Sequence, residues 1–138
     1  TFTGNSAIVS GGGIASWSST PIITNSILWG NTPDQISGLA AVTYSDVQDG
    51  WAGTGNISQN PLLGPLADNG GFTQTHALGV GSPAIDARDP TNCPSTDQRG
   101  FPRPLDGDGL TGPRCDMGAY EAELKVLDFS IYLPLVLR

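Results

Sequence analysis

A repeat near the start of the chain limits the available folds more than any other feature. The segment PIITNSILWG (21–30) aligns with AVTYSDVQDG (41–50) at an offset of twenty residues, which places Ile22 over Val42. Both segments are short β-branched runs that end in Gly. A repeat of this length, with one face of each short run turned inward, is typical of a parallel β-helix.

Other segments of the first sixty residues fit the same repeat. FTGN (2–5) resembles LWGN (28–31), and GGGIAS (11–16) is typical of the start of an intervening strand. Gly and Asn tolerate the positive φ that the corners of a coil require. Ile and Val from successive coils would then stack into a narrow core.

The periodicity stops near Asn60, where a proline-rich and glycine-rich segment begins. We therefore predict an all-β fold, in which a short parallel β-helix of about three coils precedes an irregular, disulfide-linked cap and a C-terminal β-strand. The predicted boundaries are 1–62 for the coils, 63–122 for the cap and 123–138 for the terminal strand.

The charged residues are few and unevenly placed. Six basic and thirteen acidic residues give a formal net charge of −7, which argues against nucleic acid or an anionic membrane as partner. Residues 1–33 contain no Lys, Arg, Asp or Glu, whereas nine of the thirteen acids lie between Asp86 and Asp128. Neutral Ser, Thr and Asn suit stacked parallel strands because they create no ladder of like charges.

Cys93 and Cys115 are the only cysteines, and the segment between them is rich in Pro and Gly. A disulfide would restrain this loop and contribute about 3 kcal/mol in the loop-entropy model. Two free thiols are the alternative, whereas a metal site is disfavoured because there is no CxxC motif or neighbouring His. A disulfide indicates an oxidising compartment, and the predicted location is therefore extracellular or at the cell surface.

The second half of the chain resembles a known family. The stretches NPLLGPLADNGGFTQTHALGVGSPAIDA (60–87), TDQRGFPRP (96–104) and DMGAYE (116–121) are similar to the C-terminal part of secreted bacterial proteins with a choice-of-anchor Q domain. The sequence departs from that pattern at Phe72 and at 79–80. The resemblance implies a right-handed β-helix with an irregular cap, export, and a variable anchoring segment after the cap.

The C-terminal segment KVLDFSIYLPLVLR alternates between large apolar residues and others, and its end resembles the YLPLVLR ending of exported proteins of Chloroflexus-type bacteria. The apolar run is shorter than the ~20 residues of a membrane span and contains Asp128 and Pro134, so no span is predicted. As a strand it would have one apolar face. The predicted subunit-interface residues are Leu127, Phe129, Ile131, Leu133, Leu135 and Leu137.

The two ends together predict a structural protein. The sequence starts within a coil without a recognisable cap, and if Thr1 is the true start the first coil would expose strand edges that can pair with another chain. We expect a head-to-tail homo-oligomer or polymer, as an extracellular filament or surface layer. The alternatives are a C-terminal fragment of a larger cell-surface adhesin with a sorting tail, a polysaccharide-active enzyme, and a glycan-binding module.

No catalytic residue is assigned. His76 is the only histidine and has no identifiable nucleophile beside it, and the predicted coils contain no Lys or Arg for polysaccharide cleavage. Aromatic residues of the coils could contact surface glycans or fill the core and an interface: Phe2, Trp17, Trp29, Tyr44 and Trp51.

No cofactor or metal is assigned, and calcium is the one ion considered. Six acidic residues of the second half could supply oxygen ligands: Asp86, Asp89, Asp97, Asp106, Asp108 and Asp116. The candidates are chiefly Asp106 and Asp108, in LDGDGLTG (105–112). The spacing is not that of an EF-hand loop, and Asp-Gly pairs are also ordinary turn formers.

Overall fold

The computed structural model describes residues 1–110 and 112–124, and there the protein is all-β, as predicted. Seven short strands are followed by a hairpin: β1 Phe2–Thr3, β2 Ile14–Ala15, β3 Ile22–Thr24, β4 Ile27–Trp29, β5 Ile36–Ser37, β6 Ala41–Thr43, β7 Asp46–Val47, β8 Leu63–Ala67 and β9 Thr75–Leu78. Within these two ranges no helix is long and apolar enough to cross a membrane.

The first seven strands pair in parallel, and each pair joins two strands that are three places apart in chain order. They form three sheets, ordered β1-β4-β7, β2-β5 and β3-β6. The chain therefore visits the three sheets in the same order twice before it reaches β7. This confirms the parallel pairing that the repeat predicted.

The similarity of FTGN to LWGN corresponds to real pairing, with Phe2 beside Leu28 in the β1-β4 register. Asn5 and Asn31 follow these strands, and the Asn31 Oδ1 accepts hydrogen bonds from the backbone N–H of Asn5 at 3.0 Å and from its Nδ2 at 2.9 Å. The two Asn residues thus link successive corners without adding charge.

The predicted register of twenty residues is wrong by one position. In the β3-β6 pair Ile22 lies beside Ala41 and Ile23 beside Val42, which is an offset of nineteen. Ile23 and Val42 are 7% and 2% exposed, whereas Ile22 is 83% exposed. Because successive strand residues point to opposite faces, the predicted register would have placed inward Val42 beside an outward side chain.

Two apolar clusters form the interior. The first lies between the three parallel sheets and comprises Ile23, Leu28, Ile36, Val42 and Val47. The second connects the strands to the second half of the chain and comprises Ile27, Leu78, Ala84 and Met117. Side chains from adjacent strands of one sheet, such as Leu28 and Val47, stack in the first cluster as the repeat predicted.

The second half consists of the antiparallel β8-β9 hairpin and a long irregular segment. A disulfide joins Cys93 to Cys115, with their Cα atoms 6.0 Å apart, which confirms the predicted bridge. Residues 125–138 lie outside the described residues, and with them all six predicted interface residues of the C-terminal strand: Leu127, Phe129, Ile131, Leu133, Leu135 and Leu137.

Candidate functional site

One surface of the parallel-strand part has free backbone edges and exposed apolar side chains. Among the described residues β1, β2 and β3 each have a strand partner on one side only. Ile8 and Val9, between β1 and β2, are 103% and 83% exposed, and Trp17, just after β2, is 77% exposed. We call β1 to β3 together with Ile8, Val9 and Trp17 the first-repeat edge.

Asn25 joins the strands to the irregular segment. It adopts a positive φ of 52° at the corner between β3 and β4, and it is 5% exposed. Its Oδ1 accepts from the N–H of Asp89 at 2.9 Å, its Nδ2 donates to the carbonyl of Asn92 at 3.4 Å, and its own carbonyl accepts from Gly118 N–H at 2.9 Å. The irregular segment therefore docks on a corner of the parallel sheets.

A buried arginine organises the irregular segment. The guanidinium of Arg99 lies 2.7 Å from the Asp97 carboxylate and donates to the carbonyl of Glu121 at 2.7 Å. It also stacks on two rings, 4.4 Å from the centroid of Phe101 and 3.6 Å from that of Tyr120. Burial alone would raise the pKa of Asp97, but hydrogen bonds from backbone amides and from Arg99 hold it below its usual value.

Glu121 forms a second buried ion pair. Its Oε2 lies 2.9 Å from Nε of Arg103, and both side chains are almost fully buried. The same carboxylate accepts from the backbone N–H groups of Leu105 at 2.8 Å and Asp116 at 3.1 Å. Burial raises the pKa of Glu121, and the two amides and Arg103 oppose that effect.

Asp116 carries a buried carboxylate that pairs with no arginine among the described residues. It is fully buried, and its two oxygens accept from the backbone N–H groups of Asp86 and Ala122. Burial raises the pKa of Asp116 to about 7, helped by the neighbouring carboxylates of Glu121 and Asp86 and opposed by the two amides. Asp116 therefore serves as an acceptor for loop backbone.

The predicted calcium candidates Asp106 and Asp108 lie together, and Asp86 completes the group. One carboxylate oxygen from each of the three residues lies within 4.8 Å of the other two. Asp86 is buried, Asp106 is half-buried and Asp108 is exposed. From the sequence, Asp86 is only one of six possible calcium ligands. Nothing in the spacing of the acidic residues shows that Asp106 and Asp108, twenty and twenty-two positions later, fold back against Asp86.

The remaining acidic candidates take other roles. Asp97 pairs with Arg99 and Asp116 binds backbone amides. Asp89 is bound by Thr91, whose backbone N–H and hydroxyl both donate to it, and these bonds lower the pKa of Asp89. Turn and loop bonding thus accounts for these three of the six predicted ligands.

An apolar groove of about 680 Å³ lies on the irregular segment. Its lining includes six large apolar residues: Leu78, Val80, Ile85, Leu105, Leu110 and Leu124. Val80 and Leu110 are 96% and 82% exposed. The lining thus extends to Leu124, the last residue that the structure describes.

His76 and the five aromatic residues have distinct surroundings. His76 lies in β9, and its Nδ1 is 2.8 Å from the carbonyl oxygen of Gly64 in β8, so it links the two strands of the hairpin. Trp51 packs on the first apolar cluster and Trp29 on the second. Of the other aromatic residues, Phe2 and Trp17 are exposed and Tyr44 is half-buried.

Comparisons of the sequence with protein-family models and with curated proteins, and of the fold with solved structures, found no match. The similarity to choice-of-anchor Q proteins therefore stays a prediction from the quoted motifs. The case for a function comes from the surfaces and clusters described above.

Proposed function

We propose that this chain is an extracellular structural subunit that assembles head to tail through its first-repeat edge. In this proposal the three parallel sheets are the faces of a short right-handed parallel β-helix of about three coils. The parallel pairing of strands that are three places apart in chain order supports such a coil. The Cys93–Cys115 disulfide supports an oxidising, extracellular location.

The first-repeat edge is the observation that carries the proposal. Among the described residues, β1, β2 and β3 each have one edge that pairs with no strand, and such an edge can pair with an added strand. Ile8, Val9 and Trp17 add apolar area that is exposed in the single chain. Residues 1–33 contain no ionisable side chain, so a second copy would approach this edge without charge repulsion from it.

The proposed occupant is residues 127–137 of another copy. Their alternating sequence would give an added strand one continuous apolar face. Burial of six large apolar side chains would stabilise this contact by ~9 to 18 kcal/mol before the entropy cost of ordering the strand is subtracted. Two different surfaces then meet at each contact, and such heterologous contacts propagate into filaments unless they close into a ring.

Electron microscopy and light scattering of the purified chain test this assembly. We expect filaments or large rings from the full chain, and monomers when residues 125–138 are deleted. The double substitution Ile8→Lys and Val9→Lys should also give monomers, because it places charge on the first-repeat edge. Both side chains are fully or largely exposed, so the fold should tolerate the change.

Phe72→Lys is the matched control. Phe72 is 104% exposed but lies in the loop between β8 and β9, which is not part of the first-repeat edge, so this variant should assemble like the unmodified chain. A monomeric full chain would contradict the proposal and favour the predicted alternative of a segment from a larger adhesin. Assembly that survives both the deletion and the lysine pair would contradict the proposed contact.

A further inference from the structure

Asp86 has a buried carboxylate oxygen that lacks a hydrogen-bond partner. The residue is 7% exposed, and its Oδ2 accepts from the backbone N–H groups of Gly107 and Asp108, both at 3.2 Å. Its Oδ1 is buried and accepts no hydrogen bond from the described residues. An ionised oxygen in that position is costly unless a cation or a proton compensates it.

Two charges close to Asp86 have the same sign. The carboxylates of Asp106 and Asp108 approach it within 4.8 Å. Of the three carboxylates, that of Asp86 is buried and is therefore the least screened by solvent.

The buried arginines of the same segment are occupied elsewhere. Arg99 lies against Asp97, and Arg103 lies 2.9 Å from Glu121. Each of these two guanidinium groups thus lies against a carboxylate other than that of Asp86.

Two Asp-centred turns hold the other carboxylates in place. The Oδ1 of Asp106 accepts from Gly109 N–H at 2.6 Å, and the Oδ1 of Asp108 accepts from Leu110 N–H at 2.8 Å. Each of these residues has a second carboxylate oxygen that these turns do not use. The loop is fixed at its base, where Leu105 and Arg114 form an antiparallel bridge.

We propose that Asp86, Asp106 and Asp108 bind one Ca²⁺ ion. Calcium prefers carboxylate oxygens at about 2.3–2.6 Å, so two ligands on opposite sides of the ion are roughly 5 Å apart. One oxygen from each of the three residues lies within 4.8 Å of the other two, close enough for all three to contact one ion. Calcium accepts six to eight ligands in flexible arrangements, and water and loop carbonyls would complete the shell.

The unpartnered oxygen of Asp86 distinguishes this group from an ordinary acidic loop. Bound calcium would offset the charge of the buried Asp86 carboxylate and join loop 105–110 to the segment that contains Asp86. Sites of this kind in extracellular proteins bind calcium with dissociation constants of about 10⁻⁴ to 10⁻³ M. The inference depends on these three residues alone and is independent of the proposed assembly.

Calorimetric titration of the full chain with CaCl₂, after removal of metal with a chelator, tests the site. We expect one ion per chain and a higher unfolding temperature in excess calcium. Asp106→Asn and Asp108→Asn should each weaken binding at least tenfold, and Asp86→Asn should abolish it. The two loop variants keep the test valid if Asp86→Asn fails to fold, because Asp106 is half-buried and Asp108 exposed.

Asp49→Asn is the matched control, since Asp49 also lies in an exposed Asp-Gly turn but outside the acidic group. It removes the same charge and should leave calcium binding unchanged. Absence of heat and of a thermal shift with CaCl₂ would overturn the proposal. So would an equal loss in Asp49→Asn, or binding of MgCl₂ as tight as that of CaCl₂.

Discussion

The parallel-strand part and the irregular segment bury different kinds of side chain. The first buries apolar residues, such as Leu28, together with neutral polar ones, such as Asn25 and Gln35. The second also buries charged residues, among them Arg99 and Glu121. The difference follows from the backbone, because parallel strands satisfy each other's N–H and C=O groups and leave their side chains free to be apolar.

The described part of the irregular segment has no paired parallel strands. Many of its backbone N–H groups donate to buried carboxylates instead. The single carboxylate of Asp97 accepts hydrogen bonds from three backbone N–H groups, those of Arg99, Phe101 and Glu121. Glu121 and Asp116 each accept from two further amides. The acidic residues of the second half are therefore structural elements, and they should be as sensitive to substitution as the apolar core of the first half.

The largest effect should come from removing a carboxylate in the irregular segment. Glu121→Ala leaves Arg103 buried without its partner and deprives two backbone amides of an acceptor. We expect a loss of about 4 kcal/mol in the free energy of unfolding, measured in urea. Glu123→Ala, which removes an exposed acid two positions later, should change it by less than about 0.5 kcal/mol. Equal effects of the two variants would contradict the structural role of Glu121.

In the parallel-strand part, truncation of buried apolar side chains should lower the free energy of unfolding most. Leu28 is 0% exposed, so Leu28→Ala should cost about 3 kcal/mol through lost burial and an internal cavity. Leu39, which is 72% exposed, provides the control, and Leu39→Ala should be close to neutral in the same urea experiment. A loss below about 1 kcal/mol for Leu28→Ala would show that this core does not support the strands.

The disulfide should contribute a similar amount to the free energy of unfolding, because it closes a long loop. Cys93 and Cys115 are separated by 22 positions, and replacement of both by Ser should lower the free energy of unfolding by about 3 kcal/mol. Hydrogen exchange should show the loss mainly in 93–115, with protection of the parallel strands retained. Equal loss of protection in both regions would mean that they unfold as one unit.

The smallest effect concerns Asp46, the exception in the parallel-strand part. It is 0% exposed on β7, its Oδ1 accepts from Gln59 N–H at 3.2 Å, and its Oδ2 has no partner among the described residues. Burial raises the pKa of Asp46 to about 6, and the bond from Gln59 opposes this. The folded chain therefore holds this proton over a pH range in which the unfolded chain has released it.

Stability linked to Asp46 should accordingly be highest below pH ~4, fall as pH rises towards 6, and level off above it. Asp46→Asn preserves the shape and the acceptor for Gln59 and removes the charge. We expect this variant to be about 1–2 kcal/mol more stable than the unmodified chain at pH 7.5, after solvent screening is allowed for, and equal to it near pH 4. Urea unfolding at the two pH values checks this, and an identical pH profile for the two chains would contradict it.

The sequence predicted the parallel pairing because Gly and Asn at the corners repeat visibly, as in FTGN and LWGN. It gave the wrong β3-β6 register because Ile22 and Ile23 are both β-branched, and only packing decides which of them faces inward. The partners of the carboxylates could not be predicted at all. Asp97 and Glu121 meet through folding of an irregular segment, and no periodicity records such contacts.

The corner at Asn25 has a consequence for the timing of folding. Its bonds to Asp89 and Asn92 connect positions 64 and 67 residues apart, whereas neighbouring parallel strands are 19 to 26 residues apart. Contacts at larger sequence separation form later because loop closure costs entropy. The parallel strands should therefore assemble first, and docking of the irregular segment on Asn25 should be a late, slower step. Until that step the second apolar cluster stays open to solvent, and a chain delayed there would be prone to aggregate.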